Sequence, residues 1–144
     1  MPRSLLVLVL VLACSSALAA CSSAARREGR ALLAAVDRYR HAEGSSRPAL
    51  GEAVSGVPCT DREVCDAKRA CLAAIEPTTR AGQLKDAVAA RLSEIEGKRL
   101  APSSPEAQAL PSQLDEADRL LQEGRARMVD CERRLADLQI RYGL

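Results

Sequence analysis

Between Leu110 and Tyr142 the apolar residues Leu110, Leu114, Ala117, Leu121, Gly124, Met128, Cys131, Leu135, Leu138 and Tyr142 follow one another at alternating steps of four and three. A seam of that spacing over more than four heptads lies on one face of a helix and must be covered by another helix. No stretch of the chain alternates Val, Ile, Thr or aromatic residues between turn signals as a strand would. The expected fold is therefore all-α, a three-helix bundle or a long antiparallel hairpin with an extra N-terminal helix, stapled by disulfides. With no Phe or Trp, and Tyr39 and Tyr142 as the only aromatic residues, the core must be thin and built from close-packed Leu, Val, Ile and Ala. Large deep pockets are hard to make from such residues.

The partner of the seam precedes it. Val64, Cys71, Ala74, Ala81, Leu84, Val88, Leu92 and Ile95 keep helical phase up to Gly97, which predicts a helix over about 60–97. Its expected start is a capping box formed by Thr60 and Glu63, and Pro77 is expected to disturb it, by a kink in preference to a split into two helices. A third helix over about 105–142 follows "APSSP". A first helix over about 23–42 puts Leu32, Leu33, Val36 and Tyr39 on one face, with Arg26, Arg27, Arg30, Asp37 and Arg38 mostly opposite. Gly44 to Pro48 ends it, and Ala49 to Pro58, which includes Gly51 and Gly56, reads as a loop with room for one helical turn. Matching helix lengths and a short turn favour packing within one monomer over an oligomeric seam.

At the front, Met1 to Arg3 gives a short positive start. The Leu, Val and Ala run from Leu5 to Ala13 is too short to cross a bilayer and reads as a secretory signal peptide. Its end, Leu18-Ala19-Ala20-Cys21, resembles the lipobox of bacterial lipoproteins. That resemblance covers the first 23 residues. It implies that Cys21 takes a diacylglyceryl group on its sulfur, that residues 1–20 are removed, and that the new amino group is acylated, commonly by palmitate. Residues 21–23 would then be the lipidated N-terminus and 24–144 a single helical domain.

Cys14 is the weaker candidate, because Leu12 stands where a small residue is wanted. Cleavage after Ala19 without lipid would leave Cys21, Cys59, Cys65, Cys71 and Cys131, an odd set in an exported protein. Committing Cys21 to lipid leaves four. By the sorting pattern of Gram-negative lipoproteins, Ser22 rather than Asp after the anchor favours the outer membrane, facing the periplasm. Small murein lipoproteins are similar in following a lipid anchor with helix. This chain departs from them at Arg141-Tyr142-Gly143-Leu144, which lacks their terminal Lys, so covalent attachment to the wall is not expected.

The remaining cysteines are expected to pair in two disulfides, as exported domains of this size commonly do. If the hairpin turns near Ala101, Cys71 and Cys131 lie equally far from the turn and both sit on the seams. This pairs Cys71 with Cys131 and leaves Cys59 to fold back on Cys65. The same mirror sets Ala74 against Met128, Ala81 against Leu121 and Val88 against Leu114. If the third helix begins only after Pro111, the register shifts by about six residues, ~9 Å, and Cys59 or Cys65 needs another partner.

Zinc is not expected. Cysteines spaced by six residues, with His41 as the only histidine, do not match structural-site spacing. His41 reads as a solvated residue at a helix end. Glu94, Glu96, Asp115, Glu116 and Asp118 read as a charged helix face paired with Lys and Arg. With one histidine and the cysteines committed, no nucleophile-and-base set is available; no cofactor loop is present, and an enzyme is not expected. Removing Arg3 leaves twenty basic against nineteen acidic residues, too balanced for nucleic acid. Two function classes follow: an envelope lipoprotein acting as a structural or adaptor module for an envelope protein, or a small periplasmic binding or inhibitor module that recognises a protein ligand through the loop 44–58.

Overall fold

The structure, a computed structural model, describes residues 23–144. Five α-helices and one short 3-10 turn make it up: α1 over residues 23–40, a 3-10 turn at Gly44–Ser46, α2 (Arg47–Ser55), α3 (Arg62–Glu96), α4 (Pro105–Gln108) and α5 (Leu110–Tyr142). No strand occurs among the described residues. At 1.5 Å per residue, the 35 residues of α3 and the 33 of α5 make an antiparallel hairpin about 50 Å long.

The hairpin turns where its sequence mirror requires. Cys71 and Cys131 are joined, with Cα atoms 4.5 Å apart, and both are fully buried. Asp61 meets Tyr142 at 2.9 Å near one end, and Lys85 meets Asp118 at 3.0 Å well along the hairpin. All three pairs lie nearly symmetrically about residue 101, so a single register runs through both helices. The alternative register is thereby excluded. Pro111 interrupts the second arm without shifting it. Lacking an N–H, it falls in the first turn of α5, and the preceding α4 is a separate turn capped by the Ser104 hydroxyl.

The core is divided along this axis. Near the N-terminus of α3, Leu32, Ala35, Val36 and Tyr39 of α1 pack with Val54 and Val57, with Val64, Ala67, Cys71 and Ile75 of α3, and with Cys131, Leu135 and Leu138 of α5. Farther out Ala81, Ala117 and Leu120 are buried together, flanked by Leu84 and Leu121, and Val88 and Leu110 are buried nearer the turn. The molecule is thus a three-helix head continuing into a two-helix stalk. Helix α1 runs parallel to α3: Glu28 reaches Thr60, and Tyr39 donates its hydroxyl to the Ile75 carbonyl at 3.3 Å.

Four details differ from the sequence expectations. First, the segment expected as a loop contains α2, a nine-residue helix that buries Gly51 and Val54. Pro48 sits in its first turn, where a missing N–H costs nothing. Gly51 allows a close approach, since a Cβ there would lie 3.1 Å from Ile75 Cγ2 and press on that side chain.

Second, the N-cap of α3 is Asp61, not Thr60: Asp61 accepts from the N–H groups of Glu63 and Val64 at 2.9 and 3.2 Å. Thr60 is occupied by Glu28. Third, α1 ends at residue 40 rather than 42, with His41 already in a turn. Fourth, the outer seam is thinner than the heptad pattern implies. Leu114 is 39% exposed, while Leu120, outside the seam, is 5% exposed; with no third helix beyond the head, Leu120 shifts toward the small Ala81 and Ala117.

Pro77 does not end α3, which continues as helix through it. A proline at this position removes the N–H that would bond the Ala73 carbonyl. Arg127 of α5 supplies a replacement, donating from Nη1 to Ala73 O at 3.3 Å. Beside it the Thr78 hydroxyl donates to Ala74 O at 3.0 Å. Gly124 faces this spot, where a Cβ would meet the Thr78 side chain and come within 3.1 Å of Ala74 O. Small residues on both helices let the backbones approach here.

Candidate functional site

Three helix ends meet at the free end of the head: the start of α1, the start of α3 and the end of α5. Their junction is polar. Glu28 projects inward from α1, 9% exposed, and its carboxylate accepts from the Thr60 N–H at 2.7 Å and the Thr60 hydroxyl at 2.8 Å. Burial pushes its carboxyl upward, but those two donors together with the Asp61 N–H outweigh it and hold Glu28 below the ordinary glutamate range. Asp61 behaves alike. Burial opposes its ionisation, while the Tyr142 hydroxyl and the N–H groups of Val64 and Glu63 hold it below the ordinary aspartate range.

Tyr142 is shifted upward by burial and by the bond it donates to Asp61. Arg141 pairs with Glu63 and lies 6.0 Å from the Tyr142 ring centroid. Gly29 of α1 packs against Leu144 so closely that a Cβ there would be 2.9 Å from its Cδ1. Every buried side-chain polar atom among the described residues has a partner.

Chemically, this junction fixes helices. Its carboxylates are ionised acceptors with filled hydrogen bonds, so neither is poised to give up a proton near neutral pH. The structure joins the other sequence-predicted residues pairwise: Cys59 with Cys65, which staples the segment entering α3, and Cys71 with Cys131 between the long helices. Cys21 lies outside the described residues. His41 is exposed at the end of α1, with Nδ1 2.9 Å from the Asp37 carbonyl oxygen and 3.4 Å from its carboxylate. Among the described residues, no three His, Cys, Asp or Glu side chains are grouped to hold a metal ion.

Of the five stalk carboxylates expected on a paired face, three are in ion pairs, while Glu96 and Asp115 are exposed without one among the described residues. Glu94 pairs with Arg91 at 2.7 Å, Glu116 with Arg119 at 2.8 Å, and Asp118 crosses to Lys85 at 3.0 Å. Such exposed pairs contribute little stability each. The surface depressions are open grooves between helices. One lies between α1 and α5 over Leu33, Ala136 and Leu144, another between α2 and α3 over Pro48, Leu72 and Ile75. At the far end of the stalk, Gly97 to Ser104 forms the turn. Lys98 adopts a left-handed φ of 54° there, which ends α3.

Sequence reasoning missed Glu28 and Arg127, because each acts on a residue distant in the chain. The signal for Arg127 was available: a helix that continues through Pro77 leaves a carbonyl needing a donor. Among the described residues no helix is long and apolar enough to cross a membrane. No protein-family model matches the chain, and neither a curated protein nor a solved structure matches it.

Proposed function

We propose that the protein is a lipid-anchored lipoprotein of the bacterial envelope, placed at the outer membrane facing the periplasm, and that it acts there as a monomeric structural or adaptor module for an envelope protein. The anchor is Cys21, through the lipobox Leu18-Ala19-Ala20-Cys21. The observation that supports the adaptor reading is the polarity of the fold. Helix α1, which follows Cys21 almost at once, begins at the free end of the head, whereas the turn Gly97–Ser104 stands at the opposite end of a hairpin about 50 Å long. A lipid at Cys21 holds the head at the membrane and carries the stalk tip away from it, where a partner is met.

Site-specific photocrosslinking in intact envelopes tests this reading, with the crosslinking residue at Lys98 on the tip, at Ser55 in α2, or at Gln139 in the head. The expected result is one discrete protein adduct from position 98, lost when residues 97–104 are replaced by a Gly-Ser turn of equal length. Adducts from position 55 alone would support the rival reading of a binding module working through residues 44–58.

A further inference from the structure

The first two described turns of α1 are segregated by charge. Arg26, Arg27 and Arg30 are exposed, whereas Glu28, the one acidic residue between Ser23 and Val36, is turned inward and held by Thr60. Among the described residues neither Arg26 nor Arg30 is held in an ion pair. The outer face of this segment therefore presents three positive charges and no negative one. The near-neutral balance of the chain makes this a local arrangement. Residues 81–123 of the stalk carry eight acidic and five basic side chains, and the rest of the chain after Cys21 carries eleven acidic and fifteen basic. The stalk thus carries an excess of three acidic side chains and the remainder an excess of four basic ones, and at the start of α1 the exposed charges are the three arginines.

We propose that Arg26, Arg27 and Arg30 form a docking face for anionic phospholipid headgroups, which seats the head on the membrane beside its own anchor. This inference rests on the lipid-anchor reading of Cys21. Cys21 is five residues before Arg26, a distance of at most about 18 Å even for extended chain. Chain length therefore keeps these guanidinium groups near the headgroup layer, and at physiological salt they act over about 8 Å. Each basic side chain at an anionic surface adds about fivefold to partitioning. A second, electrostatic contact of this kind fixes orientation, which a flexible lipid tether alone does not. The stalk, with its excess of acidic side chains, offers the same surface no competing basic face.

The test installs the anchor chemically, so that it does not depend on whether a cell lipidates Cys21. The mature chain, residues 21–144, is oxidised so that the other four cysteines are paired, and Cys21 is coupled to a single myristoyl chain, whose own membrane affinity is marginal. Partitioning is measured by flotation with vesicles of phosphatidylcholine alone or with one third phosphatidylglycerol. The expected result is tighter binding to the anionic vesicles on the order of 100-fold, reduced at high salt.

Changing Arg26, Arg27 and Arg30 together to Gln should remove that preference. Changing all three to Lys should keep most of it, which separates charge from any effect on folding. Neutralising Arg99 and Arg125, both exposed elsewhere, should leave it intact. Equal binding to both vesicles, or an anionic preference that survives the Gln substitutions, would overturn the proposal. Mass spectrometry of the cellular protein reports separately on the anchor itself.

Discussion

Arg127 completes a hydrogen bond that Pro77 removes: its Nη1 stands 3.3 Å from the Ala73 carbonyl oxygen, the acceptor four residues before the proline. The contact crosses from one long helix to the other, one turn from the Cys71–Cys131 bridge. It explains how α3 runs through an internal proline while remaining docked on α5. Arg127 also pairs with Glu123 at 2.7 Å, which steadies the guanidinium on its own helix.

A double-mutant cycle measures this relationship. Arg127→Leu should lower stability by about 1 kcal/mol where Pro77 is present. In a Pro77→Ala background, where residue 77 regains its N–H, the same change should cost less. The coupling expected from chemical denaturation is about 0.5–1 kcal/mol; additive effects would mean that Arg127 serves only its ion pair.

Gly124 and Gly82 should respond oppositely to alanine. In an open helix interior Gly→Ala gains up to about 1 kcal/mol, and a Cβ at Gly82 meets nothing within 4 Å. At Gly124 the added carbon collides with Thr78 and crowds Ala74 O at 3.1 Å, an overpacking cost of about 1–3 kcal/mol. Thermal melts should show Gly82→Ala raising the midpoint and Gly124→Ala lowering it.

The junction of helix ends sets an acid limit on stability. Glu28 and Asp61 are both depressed in the folded chain, so their contribution is complete above their unfolded values and is lost as the pH falls through the folded ones. Stability should hold near neutrality and decline below about pH 5. Tyr142 is shifted the other way, so its contribution fades only as alkaline pH passes its raised folded value. Glu28→Gln should flatten the acid limb and lower neutral-pH stability by about 1–3 kcal/mol, since an amide replaces the ionised acceptor of two hydrogen bonds. Denaturation at a series of pH values reads both effects.

The bridge across the hairpin is the largest single support expected in so thin a core. Closing a loop of 60 residues stabilises by roughly 4 kcal/mol through the unfolded chain on an entropic model. Replacing Cys71 and Cys131 together by Ala should therefore cost about 2–5 kcal/mol. Circular dichroism below the lowered melting point should still show the helices, because the seam of α5 does not depend on sulfur.

The hairpin and its register were legible from residue spacing because two independent patterns agreed, the heptad steps of α5 and the symmetric placement of Cys71 and Cys131. Local signals were less complete. Thr60 satisfies every rule for a cap, but Glu28, 32 residues earlier, claims it, and Asp61 caps instead. Glycines at 51 and 56 made α2 read as a loop, although Gly51 is there to let a helix touch Ile75. Leu114 carries the seam pattern yet stays partly exposed, since periodicity identifies a face without telling whether a third helix reaches it. The polar junction was hidden altogether, because nothing local distinguishes Glu28 from its exposed neighbours Arg27 and Arg30.

Whether Cys21 holds this helical module to a membrane is read by intact-mass and peptide mass spectrometry of the mature N-terminus. The expected mature chain begins at Cys21 with a diacylglyceryl thioether and an acylated amino group, and Cys21→Ser should accumulate as uncut precursor. An unmodified N-terminus at Ala20, with a free thiol at Cys21, would contradict it.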